Sequence, residues 1–321
     1  MQEDDPTAPK ATLKQWNRDD VPPERRLNFA LIKDDVDVLL ESFAEKVDRE
    51  WPKRLAHLPG LHVYTKGTVL AARSAYGAVR HLCSDESAKE LHRLQYVTAA
   101  AAIVRTIMDS VCTMAFMFEK PEERYRAFER SGWREEHEEL ARLSLRYGDR
   151  SEWSDWLRAR KELSEWLANR AGITEADRAN LKRIDYWPNP GKMPAAAKDP
   201  ELKARLEYLR DWFYKELSAE SHLSLTGFAR RASVLLGFDR HHERIPGARD
   251  VLDKLRSDSV FTTLTALLAL LSEVEVGMGI EPRPKLREIW RVVASYWGPA
   301  DELYEAHYAG LLARRADAGS S

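Results

Sequence analysis

Hydrophobic residues recur at helical spacing along most of the chain, and prolines divide this pattern into long uninterrupted windows. Residues 60–120, 122–187, 201–245 and 247–281 contain no proline and are rich in Ala, Leu, Arg and Glu, which are strong helix formers. Strict alternation of apolar and polar residues is almost absent, as are the Asn-Gly and Asp-Gly turns of β-hairpins. The pattern predicts an all-α protein.

The helical windows predict a single multi-helix bundle over residues 24–315. Residues 121–184 are an insertion in it, a charged and Trp-rich helical hairpin in which Thr174 to Asp177 form a capping box. The ends, residues 1–23 and 316–321, are expected to be flexible. Helices are predicted over roughly 35–51, 65–83, 86–118, 120–147, 151–169, 200–236, 248–276, 285–296 and 299–314.

Two stretches are apolar enough to resemble membrane spans. Residues 96–118 contain only Arg105 and Asp109 as charged residues, and residues 260–276 contain only Glu273 and Glu275 as charged residues. A charge at the centre of a span costs roughly 2.5–3.5 kcal/mol, so both stretches are interpreted as central helices of a soluble bundle. No membrane partner is expected.

A cytoplasmic location is expected for two reasons. The chain begins Met1-Gln2-Glu3-Asp4-Asp5, without the basic and apolar regions of a signal peptide. Its two cysteines, Cys83 and Cys112, are too few for a disulfide framework and are predicted to be small buried hydrophobes.

The charge balance excludes two classes of protein. The 321 residues include 50 Lys and Arg against 52 Asp and Glu, a net charge of −2, which argues against a globally basic nucleic-acid binder and an acidic disordered tail. A local nucleic-acid contact is not excluded. In the hairpin, mixed charges favour a solvated surface. Its tryptophans offer an alternative, a partner contact or a homodimer through Trp153 and Trp156.

A narrow polar stripe interrupts the first of the two apolar helices. Arg105 and Asp109 are four residues apart and therefore share one face. They either form a self-contained ion pair at a helix contact, or Arg105 also faces a pocket and meets an anionic ligand. Tyr214, Ser218 and His222 recur every four residues on another helix, where they form either a pocket wall or a hydrogen-bond chain around a buried histidine.

The favoured hypothesis is that these five residues line one polar pocket for a small or phosphate-bearing anion. One alternative is metal-independent cleavage of RNA, with His222 as general acid or base and Arg105 holding phosphate. Another is an interaction scaffold that acts through the Trp-rich hairpin. No metal site is expected, because the chain lacks Cys-x-x-Cys, His-Glu-x-x-His and paired Glu-x-x-His motifs. No cofactor is expected.

Three short motifs together resemble a known family. They are Arg105-x-x-x-Asp109 on an apolar helix, a loop with Trp187, Gly191 and Lys192 before alanines 195–197, and the series Tyr214, Ser218 and His222. They resemble the bacterial all-helical family filed as domain of unknown function 5677, over roughly residues 65–276. The resemblance implies an all-helical fold with a shared polar site, and it implies no reaction because the family has no established activity.

Overall fold

The computed structural model describes residues 29–83, 96–215, 217, 229, 232, 234–238, 244–279 and 284–313. Within these ranges the chain is almost entirely helical and forms no β-strand. This confirms the predicted all-α class. The ends that were expected to be flexible, 1–23 and 316–321, lie outside the described residues.

The described part of the chain contains eleven α-helices. Two π-helical segments, Leu209–Tyr214 and Tyr304–Tyr308, directly follow the eighth and eleventh of them. The helices are α1 (Phe29–Arg49), α2 (Pro59–Leu82), α3 (Ala100–Glu119), α4 (Pro121–Tyr147), α5 (Ser154–Arg170), α6 (Glu175–Ala179), α7 (Met193–Ala196), α8 (Pro200–Tyr208), α9 (Ala248–Met278), α10 (Pro284–Tyr296) and α11 (Gly298–Leu303).

The centre of the bundle is the contact between α3 and α9. Helix α9 also contacts α2, α10 and α11, and its residues 263–275 are all buried. A helix that is apolar on nearly every side must be covered all round, which is why this one occupies the core. Its ends are set by Gly247 and Gly279, whose φ angles of 80° and 69° are left-handed and therefore favour glycine.

Two helical stretches are long and apolar enough to cross a membrane. They are Tyr96–Glu119 and Ala248–Met278, and 61% and 72% of their respective apolar windows are buried inside the bundle. That burial is typical of core helices, which pass the same test of length and composition. The location of the protein in the cell stays a prediction.

The charged stretch forms α4 and α5, which pack on each other. A small apolar cluster of their own holds them together, formed by the buried side chains of Trp133, Ala168 and Ile184. The predicted capping box is confirmed: Thr174 accepts a hydrogen bond from the backbone N–H of Asp177, whose carboxylate accepts one from the backbone N–H of Thr174.

Several helix boundaries differ from the predicted ones. Helix α2 begins at Pro59 rather than near residue 65, because proline suits the first turn of a helix. Helix α1 begins at Phe29, six residues before the predicted start. The helix predicted over 200–236 is α-helical only to Tyr208 and then becomes the π-helix Leu209–Tyr214.

Candidate functional site

The polar stripe of α3 lies on the less buried side of that helix. Arg105 and Asp109 are half-buried, whereas Val104, Met108 and Val111 beside them are fully buried. Burial raises the pKa of Asp109 above its usual range, and the positive charge of Arg105 opposes that rise. The two side chains are therefore electrostatically coupled, as their spacing of four residues predicts.

One carboxylate oxygen of Asp109 is buried without a hydrogen-bond partner among the described residues. This atom is Oδ1. The nearby hydroxyls are engaged within α3, because Thr106 donates to the carbonyl of Ile103 at 2.7 Å and Ser110 to the carbonyl of Thr106 at 2.9 Å. Buried polar atoms are nearly always satisfied in folded proteins, so Asp109 Oδ1 is an unusual acceptor in this part of the structure.

The π-helix Leu209–Tyr214 packs against α3. Of the five residues predicted to line one pocket, the structure describes Arg105, Asp109 and the backbone of Tyr214, which ends this π-helix. Ser218 and His222 lie outside the described residues.

The π-helix also departs from the α-helix predicted over residues 200–236. Its i→i+5 hydrogen bonds place an extra residue in the turn, so positions three and four apart no longer share a face as they do in an α-helix. Asp211 is exposed and pairs with Arg210 at 2.9 Å and with Lys215 at 2.7 Å. The carboxylate of Asp211 is thus neutralised by its own neighbours at the surface.

A buried polar triad, missed in the sequence, lies between α8, α9 and the second π-helix. Arg205 and Glu273 form a bidentate salt bridge with N–O distances of 2.6 Å and 3.3 Å, and Tyr308 donates a hydrogen bond to Glu273 at 2.9 Å. The side chains of Arg205 and Glu273 are only 8% and 4% exposed. Burial, followed by the charge of Glu273, raises the pKa of Tyr308 well above its usual value.

Cys112 connects this triad to the stripe of α3. The thiol is completely buried, one turn after Asp109. Its pKa is raised first by burial and then by the negative charges of Asp109 and Glu273. Polar groups therefore continue from the half-buried stripe of α3 into the centre of the bundle.

Aromatic rings surround the triad. Trp290 stacks on Tyr304 and on Tyr308, with ring centroids 5.5 Å apart in both pairs, and donates its indole N–H to the hydroxyl of Ser272 at 3.0 Å. On the other side, the ring of His307 lies 5.1 Å from that of Tyr208. Burial, together with the charge of Arg205, lowers the pKa of His307, which favours the neutral imidazole.

One signal in the sequence pointed to the triad. Glu273 stands inside a long apolar stretch of α9, and a buried carboxylate requires a cationic or hydrogen-bonding partner. Its partners are 68 and 35 residues away along the chain, beyond the reach of any local pattern. Among the described residues, no group of three His, Cys, Asp or Glu side chains could hold a metal ion.

Comparisons of the chain with protein-family models, curated proteins and solved structures found no match. The resemblance to the family of domain of unknown function 5677 therefore stays a prediction.

Proposed function

We propose that this protein binds a small or phosphate-bearing anion at the polar stripe of α3. In this proposal Arg105 contacts the anion, and Asp109 forms the adjacent wall. Tyr214, Ser218 and His222, from the segment that begins at the π-helix, complete the pocket. The protein is thus a binding module.

The unsatisfied oxygen of Asp109 is the main support for this proposal. A buried carboxylate oxygen without a hydrogen-bond partner costs free energy, and an anion that shares a proton with this oxygen would remove that cost. The neighbouring π-helix is a second support, because π-helical turns occur frequently at functional sites.

The charges of the stripe suit an anion when Asp109 is protonated. A guanidinium such as that of Arg105 binds phosphate or carboxylate through paired N–H donors. An ionised Asp109 would repel the same anion, but a protonated Asp109 would donate a hydrogen bond to it. Burial raises the pKa of Asp109, so this carboxyl takes up a proton from solvent more readily than an exposed aspartate does.

Calorimetry and thermal unfolding with phosphate, pyrophosphate and a nucleoside monophosphate test the proposal. At a concentration one hundred times the Kd, a bound anion should stabilise the fold by about 2.7 kcal/mol. Arg105→Ala should lose this stabilisation. Arg126→Ala, which changes an arginine that is 70% exposed on α4, should keep it. Equal stabilisation of the Arg105 and Arg126 variants, or none in the wild type, would refute the proposal.

The same preparation distinguishes binding from cleavage of RNA. Incubation with RNA in the presence of a chelator should leave the RNA intact if the site only binds. Cleavage by the wild type that is lost in His222→Ala would instead support a metal-independent phosphodiesterase.

The hairpin supports a second candidate function, self-association. Trp156, Leu163 and Trp166 are 40%, 45% and 53% exposed and follow one face of α5. Trp153 is more covered, because its ring stacks on Tyr147 at 4.6 Å. The exposed apolar stripe on α5 therefore consists of Trp156, Leu163 and Trp166, with Trp153 partly covered at its beginning.

A second copy of the chain is the proposed occupant of this stripe. Residues of both charge signs lie near it along α5, among them Asp155, Arg158, Lys161 and Glu165, so an antiparallel pair of α5 helices could match opposite charges. Light scattering should show a dimer that dissociates in the double variant Trp156→Ala/Trp166→Ala. A monomeric wild type would exclude this candidate.

A further inference from the structure

A cleft opens between the beginning of α2 and the facing sides of α4 and α5. Its volume is about 780 Å³, within the range of roughly 300–1,000 Å³ that is typical of small-molecule sites. None of the five residues predicted for the anion pocket lines it. The cleft is therefore a second and separate candidate site.

One wall of the cleft is aromatic. Tyr64, Tyr125 and Phe128 line it, and the rings of Tyr64 and Phe128 are 4.9 Å apart between centroids. Burial raises the pKa of Tyr64, so its ring stays neutral. Leu167 of α5 adds an aliphatic surface on the opposite side. Such walls accommodate a flat or apolar body.

Two glycines shape the space. A Cβ atom at Gly60 would overlap the hydroxyl of Tyr125 and the guanidinium of Arg170, so this glycine lets α2 approach the hairpin closely. At Gly132, in the middle of α4, a Cβ atom would have no neighbour within 4 Å. The absence of a side chain at Gly132 leaves room in the cleft.

The charged lining has an excess of two negative charges. Three arginines line the cleft, and each is paired with a lining glutamate: Arg142 with Glu139, Arg160 with Glu136 at 2.6 Å and Arg170 with Glu129 at 2.5 Å. Two further glutamates complete the lining.

Those two glutamates differ in their partners. Glu138 pairs with Arg134 at 2.9 Å. The carboxylate of Glu135 accepts a hydrogen bond from Ser131 at 3.3 Å and has no cationic partner among the described residues. The cleft thus combines an aromatic wall with a negative charge that remains to be neutralised.

We propose that the cleft binds a small organic cation with an apolar or aromatic body. The ammonium or guanidinium group of the ligand would lie between Glu135 and the faces of Tyr64 and Phe128, where carboxylate attraction and cation–π attraction act together. The apolar body would fill the space beside Gly132. An anion is disfavoured, because it would add to the existing excess of negative charge.

Three nearly isosteric probes separate charge from shape: phenethylammonium, 2-phenylethanol and phenylacetate. Calorimetry should show the cation binding the wild type at least about tenfold more tightly than the alcohol, with no measurable binding of the anion. Its affinity should fall as salt is added. Absence of cation binding, or equal binding of all three probes, would overturn the proposal.

Variants locate the binding. Gly132→Leu should fill the cleft and lower the affinity for phenethylammonium by about tenfold or more. Gly77→Leu, at an exposed position of α2 with no neighbouring atoms, is the control and should leave this affinity unchanged. If Gly132→Leu does not fold by circular dichroism, Glu135→Gln serves instead, because this exposed side chain tolerates the change. Unaltered affinity in the folded variant would place the ligand elsewhere and refute the assignment.

Discussion

The hydroxyl of Tyr308 donates a hydrogen bond to Glu273 Oε1 at 2.9 Å, and the same oxygen accepts from Nε of Arg205 at 2.6 Å. One buried carboxylate is thereby satisfied by two donors, one 68 residues before it and one 35 residues after it along the chain. Because removal of one partner leaves a charge buried without compensation, this triad should dominate the response of the fold to single substitutions in the core.

Arg205→Met should lower the free energy of unfolding by about 3–5 kcal/mol, because Glu273 would remain buried without its cation. Urea unfolding at neutral pH measures the change. The double variant Arg205→Met/Glu273→Met is the control and should recover most of the loss, because it removes both charges. A loss below about 1 kcal/mol in the single variant would show that the salt bridge is not needed.

Two glycine substitutions should change stability in opposite directions. A Cβ atom at Gly277 in α9 would overlap the ring of Phe118, so Gly277→Ala should destabilise the fold by about 1–3 kcal/mol. Gly77→Ala, where the new atom meets nothing, should stabilise it by about 0.5–1 kcal/mol through helix propensity. Thermal and urea unfolding of both variants provide the comparison, and equal shifts would contradict the packing of α9 on α3.

Asp177 should make the stability of the hairpin sensitive to acid. Hydrogen bonds from the backbone and hydroxyl of Thr174, together with Arg130 at 2.9 Å, lower the pKa of Asp177 to about 2. The pKa of Asp177 is lower in the folded state than in the unfolded state. The contribution of its carboxylate to the free energy of unfolding is therefore complete above about pH 4, and it is lost as the pH falls through about 2.

Urea unfolding between pH 5 and pH 2 tests this contribution in wild type and in Asp177→Asn. The wild type should lose more stability across the interval than the variant. A parallel decline in the two proteins would mean that Asp177 does not contribute.

Both cysteines should be unreactive in the folded protein. Burial raises the pKa of Cys83 to about 12 and that of Cys112 still further, and the thiolate is the reactive form. Ellman's reagent at pH 8 should therefore label neither thiol rapidly in buffer and both in concentrated urea. Rapid labelling of one thiol in buffer would show local opening around it.

The proposed anion site should bind more tightly as the pH falls. Protonation of Asp109, whose pKa is raised by burial, removes a repulsive charge and supplies a donor. Calorimetric titration of phosphate at several pH values should show this rise. Asp109→Asn, which mimics the protonated carboxyl, should bind with less dependence on pH. An identical pH dependence in wild type and variant would exclude a role for Asp109.

The helices and the polar stripe of α3 could be predicted because both are local patterns. Helical spacing, proline positions and the capping box at Thr174 and Asp177 involve residues within a few turns of each other. The same reasoning failed at Leu209–Tyr214, because an α-helical period was assumed where the chain forms a π-helix.

Long-range relationships could not be read in the same way. Arg205 stands in a charged amphipathic helix, and Tyr308 follows a short C-terminal one, so neither appeared different from a surface residue. Both side chains reach Glu273 of α9, Arg205 from α8 and Tyr308 from the second π-helix, and these contacts are distant along the chain. The cleft beside Gly132 also depends on the approach of α2 to the hairpin, which no spacing within α4 encodes.

The separate apolar cluster of Trp133, Ala168 and Ile184 has a consequence for folding. A segment with its own small core can open as one cooperative unit while α3 and α9 stay closed. Backbone amides of α4 and α5 should then exchange their hydrogens together, ahead of the amides of the central helices. The hairpin of α4 and α5 would behave as a foldon, able to unfold and refold while the rest of the molecule stays folded.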